Sequence, residues 1–229
     1  MRPSRVIESA PTPVVDAERN LVRKAIFNAA AALFVALATF VAPAPARAEF
    51  TPDALVRKIS NDVLESARTD PAIQAGDISK IMTLVDTKVM PNVNFEVMTR
   101  SAVGPQWRSA TADQRRKLQA EFETLLVRVY SGALTQLKDQ TVEITRTLPV
   151  QGSAQVVVQS EVRGKGEPIK LDYRLDKFDG AWKIIDVNVG GIWLVQSYRS
   201  QFGQVLANGG VDALIARLVE QNKANSGKS

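Results

Sequence analysis

Few residue types able to do chemistry are present. The 229-residue chain contains no cysteine and no histidine, which removes a thiolate nucleophile, an imidazole base and a Cys/His zinc site together. Chemistry is left to carboxylates, Lys, Tyr and Ser. Among the carboxylates, Asp186 opens the stretch DVNVGGIW (186–193), at the end of an alternating, strand-like pattern. Strict alternation places it on the Trp182/Ile184 side, where a general base with a raised pKa would face a pocket. No partner for such a base is identifiable, so capping or ion pairing is the competing role. Asp113, Glu121 and Glu123 fall on the solvated side of a long amphipathic pattern. Gly190-Gly191 lacks the rest of a phosphate-binding glycine motif and runs into Ile192-Trp193. No cofactor and no metal are expected.

The basic residues are dispersed among acids. Arg115-Arg116-Lys117 is the densest run; it reads as a solvated helix start, with docking as the alternative. Arg199, beside Tyr198, reads as a structural ion pair, with a phosphate or a partner protein as the alternative contact. Residues 49–229 hold 23 Lys/Arg against 21 Asp/Glu, a net charge of about +2, so the concentrated basic face that nucleic acid demands is not expected.

The elements that must position these residues begin after a leader. Arg19, Arg23 and Lys24 precede an uncharged run, Ala25 to Ala42, and then PAPARA ending at Ala48. A positive flank, an apolar core and a small-residue site predict a secretory signal peptide over 1–48, cleaved near Ala48. A retained anchor helix is the alternative, since the core just reaches spanning length. An exported domain without disulfides must be held by its core alone, which suits a periplasm.

Periodicity then predicts helices over about 52–68 (Leu55, Ile59, Val63), 78–89 (Ile81, Val85, Val89) and 94–103 (Phe95, Met98). Thr111 and Gln114 form a capping-box pattern that opens the longest helix. Its stripe is Leu118, Phe122, Leu125, Leu126, Val129, Ala133 and Leu137, widened by Tyr130 and Leu134. At Asp139 the period changes to two. Four strands are predicted, over 141–148, 154–163, 168–178 and 181–189, with short glycine-bearing turns that imply antiparallel neighbours. In the third, Ile169, Leu171, Tyr173 and Leu175 share a buried face and the alternating charged residues a wet one. Leu194, Val195, Tyr198, Phe202, Val205 and Leu206 line a helix after the two glycines. Val211, Leu214, Ile215 and Leu218 form a last helix, and 222–229 a loose tail. Helices, four antiparallel strands, then helices make an α+β domain over 49–221. The Asp179-Gly180-Ala181-Trp182 hairpin is a pattern of NTF2-like cones, in which helices packed on one face of a curved sheet enclose an apolar pocket.

Residues 182–202, WKIIDVNVGGIWLVQSYRSQF, resemble the signature of the MlaC family, the toluene-tolerance auxiliary proteins. Phe95 to Arg100 with Gly104 and Trp107 resembles the family's segment before its long helix, and Thr111, Gln114, Phe122, Leu125, Leu126, Tyr130 and Leu134 resemble that helix. Trp193 departs from the small residue, commonly Ser, that the family often carries there. The resemblance implies a non-enzymatic periplasmic phospholipid carrier. Such a protein shuttles lipid between an outer-membrane lipoprotein-porin complex and an inner-membrane Mla ABC transporter complex, maintaining outer-membrane lipid asymmetry. A monomer is the simplest state for a shuttle. The expected acyl-chain contacts are Phe95, Met98, Leu126, Val129, Tyr130, Val187, Val189, Ile192, Val195, Tyr198 and Phe202. Two rival readings stand beside it: an NTF2-like pocket enzyme using Asp186 on a small apolar substrate, and a transporter adaptor with a filled core.

Overall fold

The computed structural model describes residues 50–226; the leader expected over 1–48 lies outside them. The helix α1 (Pro52–Thr69) starts with proline at its first position and Asp53 in its first turn, where a missing N–H and a negative charge both suit the helix end. A short helix α2 (Pro71–Gln74) follows, capped by Asp70. The helix predicted over 78–89 is α-helical only across α3 (Ile78–Leu84) and continues as a π turn over Val85–Val89 and a 3-10 turn over Met90–Asn92. Proline cannot continue the regular ladder, and the chain loosens before it reaches Pro91. The Asn94 side chain accepts from the Val97 amide and starts α4 (Phe95–Val103). Gly104, at φ 76°, ends it.

The capping box predicted from Thr111 and Gln114 is present in both directions: the Gln114 amide donates to Thr111 Oγ1 and the Thr111 amide to Gln114 Oε1. It opens α5 (Ala112–Thr135), whose 24 residues run about 36 Å.

The sheet is one antiparallel meander in chain order: β1 (Thr141–Pro149), β2 (Val156–Arg163), β3 (Ile169–Phe178), β4 (Ala181–Val189) and β5 (Ile192–Trp193). Five strands replace the four expected. The fifth forms because Gly190 and Gly191, both at positive φ, reverse the chain tightly enough for Ile192 to pair with Val189 and Trp193 with Asn188. Two residues are too short to carry a periodic signal.

A bulge in β4 decides which way Asp186 points. Arg174 pairs with Asp186 but its neighbour Leu175 pairs with Ile184, so Ile185 is the extra residue. Directly opposed residues share a face. Ile184, Val187 and Val189 therefore face the helices with Leu175, Tyr173 and Leu171, while Asp186 and Asn188 lie on the outer face with Arg174 and Asp172. The alternation that put Asp186 beside Trp182 and Ile184 fails at this bulge.

Three apolar clusters hold the domain. Leu55, Val56 and Ile59 of α1 pack on Val158, Leu175 and Ile184 of the sheet. Ala67, Ile73, Ile81, Leu84 and Val127 join α1, α2, α3 and α5. The largest lies between α4, α5 and the last helix, α6 (Leu194–Ser226), which Gly210 breaks into two arms. The clean wet and dry faces expected of β3 are not found: Ile169 is 56% exposed because the sheet end runs past its helical cover, while Asp172, Arg174 and Asp176 are half-buried. The segment from 222, expected as a tail, continues α6 to Ser226. Its Asn222 is buried and donates to the Glu121 carbonyl and carboxylate.

Candidate functional site

The largest cluster is built on aromatic rings. Phe122, fully buried in α5, meets Phe95 of α4 at a centroid distance of 5.6 Å, Tyr198 at 4.9 Å and Phe202 at 5.2 Å, the last two edge-on. Tyr198 and Phe202, one turn apart on α6, are 5.6 Å from each other. Tilted and edge-to-face pairs at these distances each add about 0.5–1.5 kcal/mol beyond area burial. Met98, Trp107, Leu118, Leu125 and Leu206 complete the buried shell. Burial pushes the Tyr198 hydroxyl up to about 12, with Tyr130 beside it adding to the shift.

Nine of the eleven residues expected as acyl-chain contacts meet in this layer. Phe95, Met98, Tyr198 and Phe202 are buried members; Leu126, Tyr130, Val187, Val189 and Val195 pack against it half-exposed. Val129 and Ile192 do not belong to it. Val129 shares the helix face of Phe122 and Leu125 but is 49% exposed, and Ile192, opposite Val189, is 61% exposed. Periodicity gave their direction without saying whether anything covers them. Ile169 lies on the same sheet face as Ile192 beside the Gly190 turn, since the Gly190 amide donates to the Lys170 carbonyl. Phe122, which meets three of the four rings, was not among the expected contacts, although the 118/122/125 spacing placed it on the right face.

Two open depressions lie on the described surface. One of about 400 Å³ is bordered by Leu64, Arg68 and Val142. Another of about 480 Å³ lies between Phe95, Gln119 and the β3–β4 hairpin at Asp179. The second touches the layer at Phe95, and neither is lined by Phe122, Tyr198 or Phe202.

Asp186 does not face this layer. Its Oδ1 accepts from the Val187 amide at 2.9 Å and the Val195 amide at 3.0 Å, so it caps the start of α6; Arg174 Nη1 lies 3.9 Å from its Oδ2. Burial pushes its carboxyl up from the ordinary value, opposed by the two amides and Arg174. Of the two roles open for Asp186, capping is the one the geometry supplies. Trp193 is also on the outer face, with the Arg174 guanidinium 4.5 Å from its ring centroid, so its bulk does not narrow the apolar layer. Arg199 lies against Gly104 at the end of α4 and makes no ion pair among the described residues. Arg115 donates to the carbonyls of Trp107 and Arg108 and stacks on Trp107, which is a structural role.

The chain resembles known proteins over most of its length. The family model described as "MlaC protein" matches residues 57–220. The intermembrane phospholipid transport system binding protein MlaC of Haemophilus influenzae is 23% identical over 186 residues, 80% of this chain and 87% of that one. The toluene tolerance protein ttg2D of Pseudomonas putida is 23% identical over 181 residues, 79% and 83% of the two chains. Among solved structures, a phospholipid-binding protein from Ralstonia solanacearum, in complex with a phospholipid, is 37% identical with a TM-score of 0.73, covering 76% of this chain and 98% of that one.

Proposed function

The chain belongs to the MlaC family, and from that premise we propose that it binds and carries phospholipid, holding the acyl chains between α4, α5, the first arm of α6 and the β4 end of the sheet. One observation carries this reading: a fourteen-residue buried apolar layer, with half-exposed apolar side chains of α5, β4 and α6 packed against it, lies between three helices and the β4 end of the sheet. The 37% likeness to a phospholipid-bound structure supports the same assignment.

A two-tailed lipid has roughly 30 methylenes, and at about 0.8 kcal/mol each they hold on the order of 25 kcal/mol of transfer free energy. A carrier that exchanges with a bilayer must match most of that, so both tails need apolar cover. The head group stays in water and demands no charged clamp. The curved sheet and its helices then act as an NTF2-like cone that opens along this layer, with Phe95, Met98, Leu126, Val129, Tyr130, Val187, Val189, Ile192, Val195, Tyr198 and Phe202 on its walls. The leader over 1–48 would deliver the domain to the periplasm, where it would shuttle lipid as a monomer. Its partners would be an outer-membrane lipoprotein-porin complex and an inner-membrane ABC transporter, and the result would be outer-membrane lipid asymmetry. The enzymatic alternative loses its base, because Asp186 is turned outward and occupied by two amides.

The test is to express the chain with its leader in a Gram-negative host, extract the pure protein with organic solvent and weigh the extract by mass spectrometry. Stoichiometric phospholipid is expected. A lipid-free protein that also takes no lipid from vesicles overturns the reading.

A further inference from the structure

Asp186 is the only charged residue among the buried polar residues of the described chain, at 4% exposure, and the apolar layer does not use it. Its position is unusual for a cap. The residue just before α6 is Trp193, whose side chain has no acceptor for the first helical amides. The acceptor comes instead from β4, nine residues upstream. Asn188, two residues along the same outer face, holds the intervening turn by accepting from the Gly191 amide at 2.8 Å. Two side chains of one strand thus fasten the turn and the helix that follows it.

That helix is one wall of the apolar layer. Val195, whose amide Asp186 holds, is itself in the layer, and Tyr198 and Phe202 follow one and two turns later. Acyl chains taken up between α6 and β4 would move this wall away from the strand, and the Asp186 link crosses between the two. A carboxylate bound to amides at a helix start gains from both charge assistance and the helix dipole. We infer that Asp186 is a positioning residue that sets the rate of lipid exchange, latching the start of α6 to β4. This rests on the phospholipid-carrier reading above.

The experiment loads the protein with fluorescent phospholipid, mixes it with vesicles of phosphatidylethanolamine and phosphatidylglycerol, and times the transfer. D186A removes the acceptor; transfer is expected to quicken about tenfold, the worth of one charge-assisted hydrogen bond broken on opening, with lipid per protein unchanged. D186N keeps an acceptor oxygen without the charge and should fall between wild type and D186A. A control in the other apolar cluster, Val56→Ala on α1, lowers stability without touching the link and should leave the rate unchanged. A wild-type rate in D186A, or an equal acceleration in the control, overturns the latch. Should D186A not fold, a wild-type rate in D186N overturns it. Hydrogen exchange at the Val195 amide gives a reading independent of lipid: protected in wild type, open in D186A. A wild-type protein that takes up no lipid at all sinks the carrier reading, whereas one that transfers normally while D186A matches it sinks only the latch.

Discussion

Replacing Phe122 by alanine separates a lipid-holding layer from an ordinary core. Phe122 is fully buried and pairs with three rings at 4.9 to 5.6 Å. Deleting a buried Phe side chain costs about 3–5 kcal/mol, part of it for the cavity left behind. In a domain of this size each kcal/mol lowers Tm by about 2–4 °C, so lipid-free protein should lose about 6–20 °C. In protein reloaded with phospholipid an acyl chain can occupy the space the ring leaves, which removes much of the cavity cost. The loss should then shrink by at least about 1 kcal/mol. The assay is urea unfolding of wild type and F122A, each stripped of lipid and each reloaded. Equal losses in both forms would place the rings in a core that lipid never enters and refute the reasoning.

Three further outcomes follow from particular residues. Val129→Asp and Ile192→Asp alter exposed positions, so stability should change by less than about 0.5 kcal/mol, while lipid uptake from vesicles falls because the rim becomes charged; unchanged uptake would remove both from the mouth. Glu123 is pushed up from an ordinary 4.5 to about 7 by burial and by the hydrogen bond and charge of Asp86. Its native state holds the proton more tightly, so its contribution to folding is complete below pH 4.5 and is lost as pH rises through 7. Glu123→Gln cannot ionise, and its Tm relative to wild type should climb from pH 5 to pH 8; a pH-independent difference would contradict the shift. Gly210 breaks α6 at φ 68°, ψ −162°, a region essentially closed to other residues, so Gly210→Ala should cost about 1–3 kcal/mol in thermal unfolding, and a neutral effect would mean the kink is not held.

The order of elements and most of the layer were legible because each has a period or a local chemical signature. The Thr111/Gln114 box, the Asn94 cap and the 95/98, 122/126 and 195/198/202 spacings all depend on neighbours within a few residues. What sequence missed depends on a distant segment or on a break in the period. The bulge at Ile185 exists only against Arg174 and Leu175, and it turned Asp186 from a pocket-facing candidate into an outer-face cap. The β5 strand needs Asn188 and Val189 as partners. Val129 and Ile192 had the right facing, but cover comes from other elements and has no sequence signal. The outward direction of Trp193 has no local signal either, because its partner, Arg174, is nineteen residues away in the chain.

A filled layer is what the energetics of a reversible carrier require. An apolar cleft left open to water would cost the lipid-free protein roughly 25 cal/mol for every Å² exposed. Ring packing avoids that cost. When acyl chains enter, each ring can exchange a ring neighbour for methylenes and keep its burial, so the area term nearly cancels. What is forfeited is the geometric part of the four aromatic pairs, about 2–6 kcal/mol in all. That is small beside the roughly 25 kcal/mol the tails carry, so the protein can compete with a bilayer without trapping its cargo. The four rings are absent from the cluster that binds α1 to the sheet, and Val93 and Val187, which pack against both clusters, are where a change in the layer would reach that core.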